Sequence, residues 1–322
     1  MVVSAQDDEK PTFPLETIYA ERKPWGVRKI LKNFRFSIST GYGHTFMSHK
    51  LDGYGIVQPT GFAPRVYPIS TPANRYMNWV TAAVPDTLST SFDSFKVQGD
   101  TAKLGFKGAA WNIPINATIH YEFLERYRLG GGFSYEYMNI GAMHSKTFGD
   151  KIKDFQPSPK GGMMMKYYGM AGISFYRIDN FLFTGDLQIG GYKPGKNFDR
   201  SQVKTGVYGN IGVTVEREFS EYLKAFIRPS FDFKTYTLNV PEKAIPHYAN
   251  ALYLNIGLTY AIPELPRCFH KDCNAQMNHT HGDREYRSRM HRLWRKQNPL
   301  YGENYPRLLK YKGRNKRKMN PY

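Results

Sequence analysis

Residues 251–262 read Ala251-Leu-Tyr-Leu-Asn-Ile-Gly-Leu-Thr-Tyr-Ala-Ile262, and their alternation decides the fold. Leu252, Leu254, Ile256, Leu258, Tyr260 and Ile262 fall on one face, and Ala251, Tyr253, Asn255, Gly257, Thr259 and Ala261 on the other. Side chains of an extended strand point alternately to opposite faces, so a period of two with one face almost wholly apolar is a strand signature. A helix would spread the same Leu and Ile residues around its whole circumference.

The split recurs upstream. Phe34, Phe36 and Ile38 alternate with Arg35, Ser37 and Ser39. Ile113, Ile115, Ala117, Ile119, Tyr121 and Phe123 alternate with Pro114, Asn116, Thr118, His120 and Glu122. Leu129, Phe133, Tyr135 and Tyr137 oppose Arg128, Ser134 and Glu136, while Met165, Tyr167, Ile173 and Phe175 oppose Lys166, Tyr168 and Ser174. The same pattern is centred on Phe181–Ile189, Val207–Glu216 and Lys224–Phe233, which predicts eight strands in all. Short polar links (124–127, 177–180, 219–222) alternate with long ones (49–101, 142–161, 193–203, 239–248). Short turns on one side and long loops on the other are the layout of outer-membrane β-barrels. An even strand number puts both termini on the short-turn side, which is periplasmic, and makes the Pro-rich stretch 49–101 extracellular. The expected fold is therefore all-β, an eight-stranded antiparallel transmembrane β-barrel over 33–262.

Composition agrees with this reading. Among 322 residues there are 24 Tyr, 21 Phe and 29 Gly, a mixture that suits strands and turns. Mean hydropathy is −0.56, and no run reaches the ~18 apolar residues that a spanning helix needs. A barrel survives that test because only alternate residues face lipid. Soluble sandwiches and lipocalin-like barrels also alternate, but they carry charge on their outward faces. Here the non-apolar face is Gly-, Ser-, Thr-, Asn- and Tyr-rich, as a narrow lumen would be. Its charges are Arg35, Glu122, Arg128, Glu136, Lys166, Asp186, Glu216, Lys224, Arg228 and Asp232, with both signs equal in number. An eight-stranded barrel is just wide enough to be filled by side chains. Buried charges must pair, so a salt-bridged plug is expected.

Two segments flank the barrel. Residues 1–32 form a lead-in in which Val3-Ser4-Ala5 fits the end of an export signal and Gln6 a mature N-terminus. Residues 263–322 form a basic, largely irregular extension with 15 Lys or Arg against 5 Asp or Glu, more than half of the chain's net +18. Basic residues interleave there with aromatic ones: Arg284, Tyr286, Arg287, Arg289, Trp294, Arg295, Tyr301, Tyr305 and Tyr311 are the candidate partner-binding set. In a periplasmic setting the acidic partners are proteins, lipid headgroups or peptidoglycan, and not nucleic acid. The same segment holds Cys268-x4-Cys273-x5-His279-x-His281. Two thiolates and two imidazoles suit tetrahedral zinc, although the spacing is not that of a zinc finger. In an oxidising compartment a Cys268–Cys273 disulfide is the first expectation. There is no Gly-x-Ser-x-Gly and no phosphate-binding glycine loop; Gly130-Gly-Gly132 lies in a strand, where it eases curvature. Neither a catalytic role nor a cofactor is expected.

Residues 33–262 resemble the small eight-stranded outer-membrane barrel family. Asn255-x-Gly257-x-x-Tyr260-x-Ile262 is similar to the β-signal of a last barrel strand, with Ile262 in place of the final aromatic. That resemblance implies insertion by the β-barrel assembly machinery, among the lipids of the outer membrane. His279-Thr-His281-Gly-Asp, Lys296-Gln-Asn-Pro299 and Tyr301-Gly-Glu-Asn-Tyr305 look like the tail of an accessory barrel subunit of an expanded assembly machinery, or of a type IX secretion barrel subunit. The implied partners are a larger outer-membrane barrel and periplasmic proteins. A peptidoglycan anchor and a membrane-embedded enzyme stay open as alternatives.

Overall fold

A computed structural model describes residues 26–50, separate stretches between 54 and 97, and 104–296 apart from 125, 155, 158–159, 179, 199–202, 241–242 and 283. The expected export-signal end lies outside the described residues, as do Tyr301, Tyr305 and Tyr311. A short helix α1 (Gly26–Leu31) leads into β1 (Phe34–Lys50). The first long connection carries β2 (Tyr54–Gln58), β3 (Arg65–Pro68), β4 (Arg75–Met77), β5 (Ala83–Pro85) and β6 (Phe95–Val97). Then follow β7 (Gly105–Phe123), β8 (Tyr127–Ser145), β9 (Gly161–Ile178), β10 (Phe181–Pro194), β11 (Val203–Glu218), β12 (Leu223–Val240) and β13 (Lys243–Ala261). A small hairpin of β14 (His279–His281) and β15 (Arg284–Tyr286) lies in the C-terminal segment.

The eight long strands close in the order β1-β13-β12-β11-β10-β9-β8-β7, every neighbour antiparallel. Closure comes from β1, which pairs with β7 on one side and with β13 on the other, in a register running from Arg35↔Ala261 to Ser48↔Tyr248. A closed ring leaves no unpaired edge, which is what a strand-built membrane span requires. On β13, Leu252, Leu254, Ile256 and Leu258 are exposed, whereas Ala251, Tyr253, Asn255 and Thr259 are buried. The same outward apolar face is presented by Ile113, Ile115 and Ile119 on β7 and by Ile211 and Val213 on β11. Strands of 14–19 residues exceed the roughly 9–11 that cross the hydrocarbon at a tilt, so the barrel extends beyond an apolar belt.

One expectation about the connections is corrected. The stretch 239–248 is not a long loop: β12 and β13 pair out to Val240↔Lys243. Pro246 lies within β13, and Ile245, His247 and Ala249 continue the buried face around it. The Pro-rich first connection is a long link that carries β2–β6 in a five-stranded sheet of order β5-β4-β3-β2-β6. Ile56 of β2 is fully buried in an apolar core at the long-loop end, with Met47, Phe106, Ile140, Met143, Ile152, Met164 and Phe198. Burying these side chains in contact packs residues of the long connections against that end of the barrel.

Gly130 and Gly132 are demanded by close approach. A Cβ on Gly130 would lie 2.1 Å from the Ile119 carbonyl oxygen, and one on Gly132 2.6 Å from that of Ala117. Gly130→Ala is expected to cost about 1–3 kcal/mol by overpacking against backbone. Urea titration of the folded fraction in detergent will measure it, and an unchanged midpoint would contradict the contact.

Candidate functional site

Each of the ten charges assigned to the interior face has an opposite charge within ion-pair distance. At the short-turn end Glu122 meets Arg35 at 3.0 Å and Arg128 at 3.1 Å. Arg128 also donates two parallel hydrogen bonds to Glu216, at 2.6 and 2.7 Å. Lys224 lies 3.1 Å from Glu218 and 3.7 Å from Glu216, and Arg177 pairs with Glu218. Midway, Arg228 pairs with Asp186, which accepts from the Thr214 hydroxyl at 2.7 Å. Higher up, Lys166 sits 2.6 Å from Glu136 and 2.8 Å from Asp232, with Lys234 beside both carboxylates at 3.9 and 3.6 Å. The Tyr253 hydroxyl donates to Glu136 at 2.6 Å, and the Asn112 amide donates to Glu136 at 2.5 Å.

Arg177, Glu218 and Lys234 were not among the expected interior charges. Glu218 and Lys234 keep the parity of Glu216 and Asp232, so carrying the alternation to the strand ends would have found them. Arg177 had no such signal. The β9–β10 register shifts at Phe183/Thr184, and burial passes from Ser174 to Arg177 across that irregularity. Among the described residues the lumen keeps a cavity of ≈ 60 Å³ lined by residues including Ser134, Gln188 and Asn255, and toward the long-loop end an apolar one of ≈ 80 Å³ lined by residues including Met47, Met138, Met164 and Ala249. The first is room for ordered water rather than for a large solute.

The C-terminal segment is organised through Lys296 and folds under the short-turn end. Arg28 of α1 donates to the Pro263 carbonyl at 3.0 Å, and Lys32 pairs with Glu264 at 3.3 Å. Farther on, Lys296 donates to Asn180 in the β9–β10 turn at 3.1 Å, and Ser220 in the β11–β12 turn donates to the Leu293 carbonyl. Within the segment, Cys268 N–H donates to Arg287 O at 3.0 Å and Arg287 N–H to Pro266 O at 2.9 Å. Of the candidate partner-binding residues in the described part, Arg284, Trp294 and Arg295 are exposed. Arg287 and Arg289 are half-buried, with the Arg289 guanidinium donating to Phe269 O at 3.3 Å. Tyr286 is buried, its ring centre 5.3 Å from that of Phe269. Tyr286 therefore belongs to the packing of the segment and not to a free surface.

The expected disulfide is not formed, because Cys268 and Cys273 are both free. Each sulfur faces an imidazole instead: Cys268 Sγ lies 3.3 Å from His281 Nε2, and Cys273 Sγ 3.2 Å from His279 Nε2. The two Nε2 atoms are 3.1 Å apart. Loss of solvent, and after it the neighbouring His270 and His279, hold the His281 imidazole below its ordinary pKa.

No protein-family model matches this chain, and no curated protein matches it. Solved structures do. The crystal structure of the outer membrane protease OmpT from Escherichia coli is 12% identical, covers 72% of this chain and 97% of its own, and gives a TM-score of 0.32. The outer membrane protein OprG from Pseudomonas aeruginosa is 9% identical over 72% of this chain and 97% of its own, with a TM-score of 0.39. The translocator domain of the autotransporter NalP from Neisseria meningitidis is 12% identical over 70% and 88%, with a TM-score of 0.23. Likeness at this level transfers no residue roles, and the barrel assignment rests on the closed strand order. One expectation is corrected: a protease stands among the matched barrels, so the exclusion of enzymatic activity is withdrawn.

Proposed function

We propose that the chain is an outer-membrane barrel subunit of a multiprotein complex, docking through its C-terminal segment on the periplasmic side. The observation that carries this reading is the segment itself. It is held under the turn end by contacts to α1 and two turns, while Phe269, Met277, Met290 and Trp294 stay exposed. Large apolar side chains beside Arg284 and Arg295, on an ordered scaffold, are the composition of a binding surface. The apolar outer belt supports a lipid environment, and the filled lumen supports an anchor over a channel. The tail's resemblances favour an accessory role in outer-membrane protein assembly, with the type IX secretion apparatus as the second machine.

Affinity purification from a detergent extract tests the proposal. The expected result is near-stoichiometric recovery of a larger barrel with periplasmic proteins, lost on deletion of 263–322 while heat-dependent gel mobility still reports a folded barrel. A monomeric full-length protein, with normal assembly and secretion in cells carrying the deletion, would overturn it, as would retention on peptidoglycan alone.

A further inference from the structure

The charges of the barrel interior are paired with one another, and the Cys/His cluster lies apart from them in the C-terminal segment. Its four donor atoms, from Cys268, Cys273, His279 and His281, all lie within 4.8 Å of one another. Tetrahedral zinc with Zn–S ≈ 2.3 Å and Zn–N ≈ 2.0–2.1 Å sets two nitrogens about 3.3 Å apart and a sulfur and a nitrogen about 3.6 Å apart. The corresponding separations here are 3.1 Å for the nitrogens and 3.2 and 3.3 Å for the two sulfur–nitrogen pairs. These three separations are close to those of ligands on one small ion, and the remaining ones reach at most 4.8 Å.

The tautomer of His279 points the same way. Its Nδ1 lies 3.0 Å from the Met277 carbonyl oxygen. A carbonyl only accepts, so Nδ1 carries the proton, and a lone pair for a ligand bond can lie only at Nε2. That nitrogen faces Cys273 Sγ and His281 Nε2. A ligand imidazole whose other nitrogen donates to a backbone carbonyl is the usual second contact of a zinc-bound histidine.

Such a tie would add to the contacts that hold the segment to α1 and to two turns. The segment's buried side chains include Cys268, Tyr286 and Ser288, whereas Phe269, Met277, Met290 and Trp294 are exposed. A unit this small with so thin an apolar core requires a disulfide, a metal or a larger neighbour to hold it, and its cysteines are not bonded to each other.

We propose that Cys268, Cys273, His279 and His281 bind one Zn²⁺ ion tetrahedrally, and that the ion ties the loop 266–273 to the β14–β15 hairpin. Two thiolates and two imidazoles select a soft or borderline ion over Ca²⁺ or Mg²⁺. The site is closed, with four protein ligands, which is the arrangement of a structural ion. The inference stands on the cluster geometry and does not depend on the docking role.

The test uses the full-length protein purified in detergent without chelator, with metal content measured by mass spectrometry. About one Zn²⁺ per chain is expected. It is lost in Cys273→Ser and in His279→Ala and retained in His291→Ala, while heat-dependent gel mobility shows a folded barrel in all three. Cobalt substitution of the wild type is expected to give the visible bands of tetrahedral thiolate coordination, absent from Cys273→Ser. Chelation is expected to open 266–296 to protease with the barrel intact. A zinc content unchanged by Cys273→Ser, a metal-free wild type, or a Cys268–Cys273 disulfide in protein isolated from cells would each overturn the proposal.

Discussion

Glu136→Gln is expected to lower the stability of the folded barrel by about 3–5 kcal/mol, the cost of removing one partner from a buried ion pair. Glu136 is fully buried and sits 2.6 Å from Lys166, with Lys234 at 3.9 Å and the Tyr253 and Asn112 side chains donating to it. Glu136 and Asp232 together balance Lys166 and Lys234. Taking the charge from Glu136 while keeping its shape leaves two ammonium groups facing Asp232 alone, in a space where water is scarce. The second arm is Glu136→Gln combined with Lys234→Met, which restores one cation to one anion and replaces the surplus charge by an apolar chain. Most of the lost stability is expected to return. Urea dependence of the folded fraction in lipid vesicles, read by gel mobility, measures both. A double variant that loses the sum of the two single losses would show that the charges are not coupled and would dismiss the plug as an energetic unit.

Leu254→Arg carries the other large effect, and it probes the outside of the same wall. Leu254 pairs in register with Tyr42 of β1 and Pro229 of β12, near the middle of the strands, and is exposed. In a bilayer an outward Arg at that height costs about 2–4 kcal/mol, and the cost falls to about 0–1 kcal/mol near the interface. Tyr248, close to the long-loop end of β13 and more exposed still, supplies the comparison. Tyr248→Arg is expected to be nearly silent. A steep difference between the two positions places the belt; equal small effects would mean that this face does not meet hydrocarbon.

Much of this architecture is legible along the chain, because the side-chain period of a strand is two whatever surrounds it. Leu252 to Tyr260 announce the outward face and Tyr253, Asn255 and Thr259 the inward one without reference to any neighbour. The alternation misleads where local composition masks it. Pro246 suggests a break, yet the cross-strand pairs Leu238↔Ile245 and Thr237↔Pro246 carry β13 through it. Arg177 is hidden for the opposite reason: an irregular β9–β10 register turns it inward, and only the partner strand reveals that shift.

The C-terminal segment divides in the same way. Cys268, Cys273, His279 and His281 are visible as a group by their spacing, but spacing does not choose between a sulfur–sulfur bond and a shared ion. That choice depends on direction. Arg287 is clamped to the chain on either side of Arg267 by one hydrogen bond from Cys268 N–H and one to the Pro266 carbonyl, and each cysteine sulfur then lies against an imidazole of β14, Cys268 against His281 and Cys273 against His279. The sequence by itself determined the number of strands, their inner and outer faces and the pairing of the ten charges it assigned to the lumen, since these follow from periodicity and from the cost of a lone buried charge. Only the tertiary structure decided which carboxylate meets which cation, how residues of the long connections pack against one end of the barrel, and that residues 263–296 fold beneath the other, because each of these depends on groups brought together from distant parts of the chain.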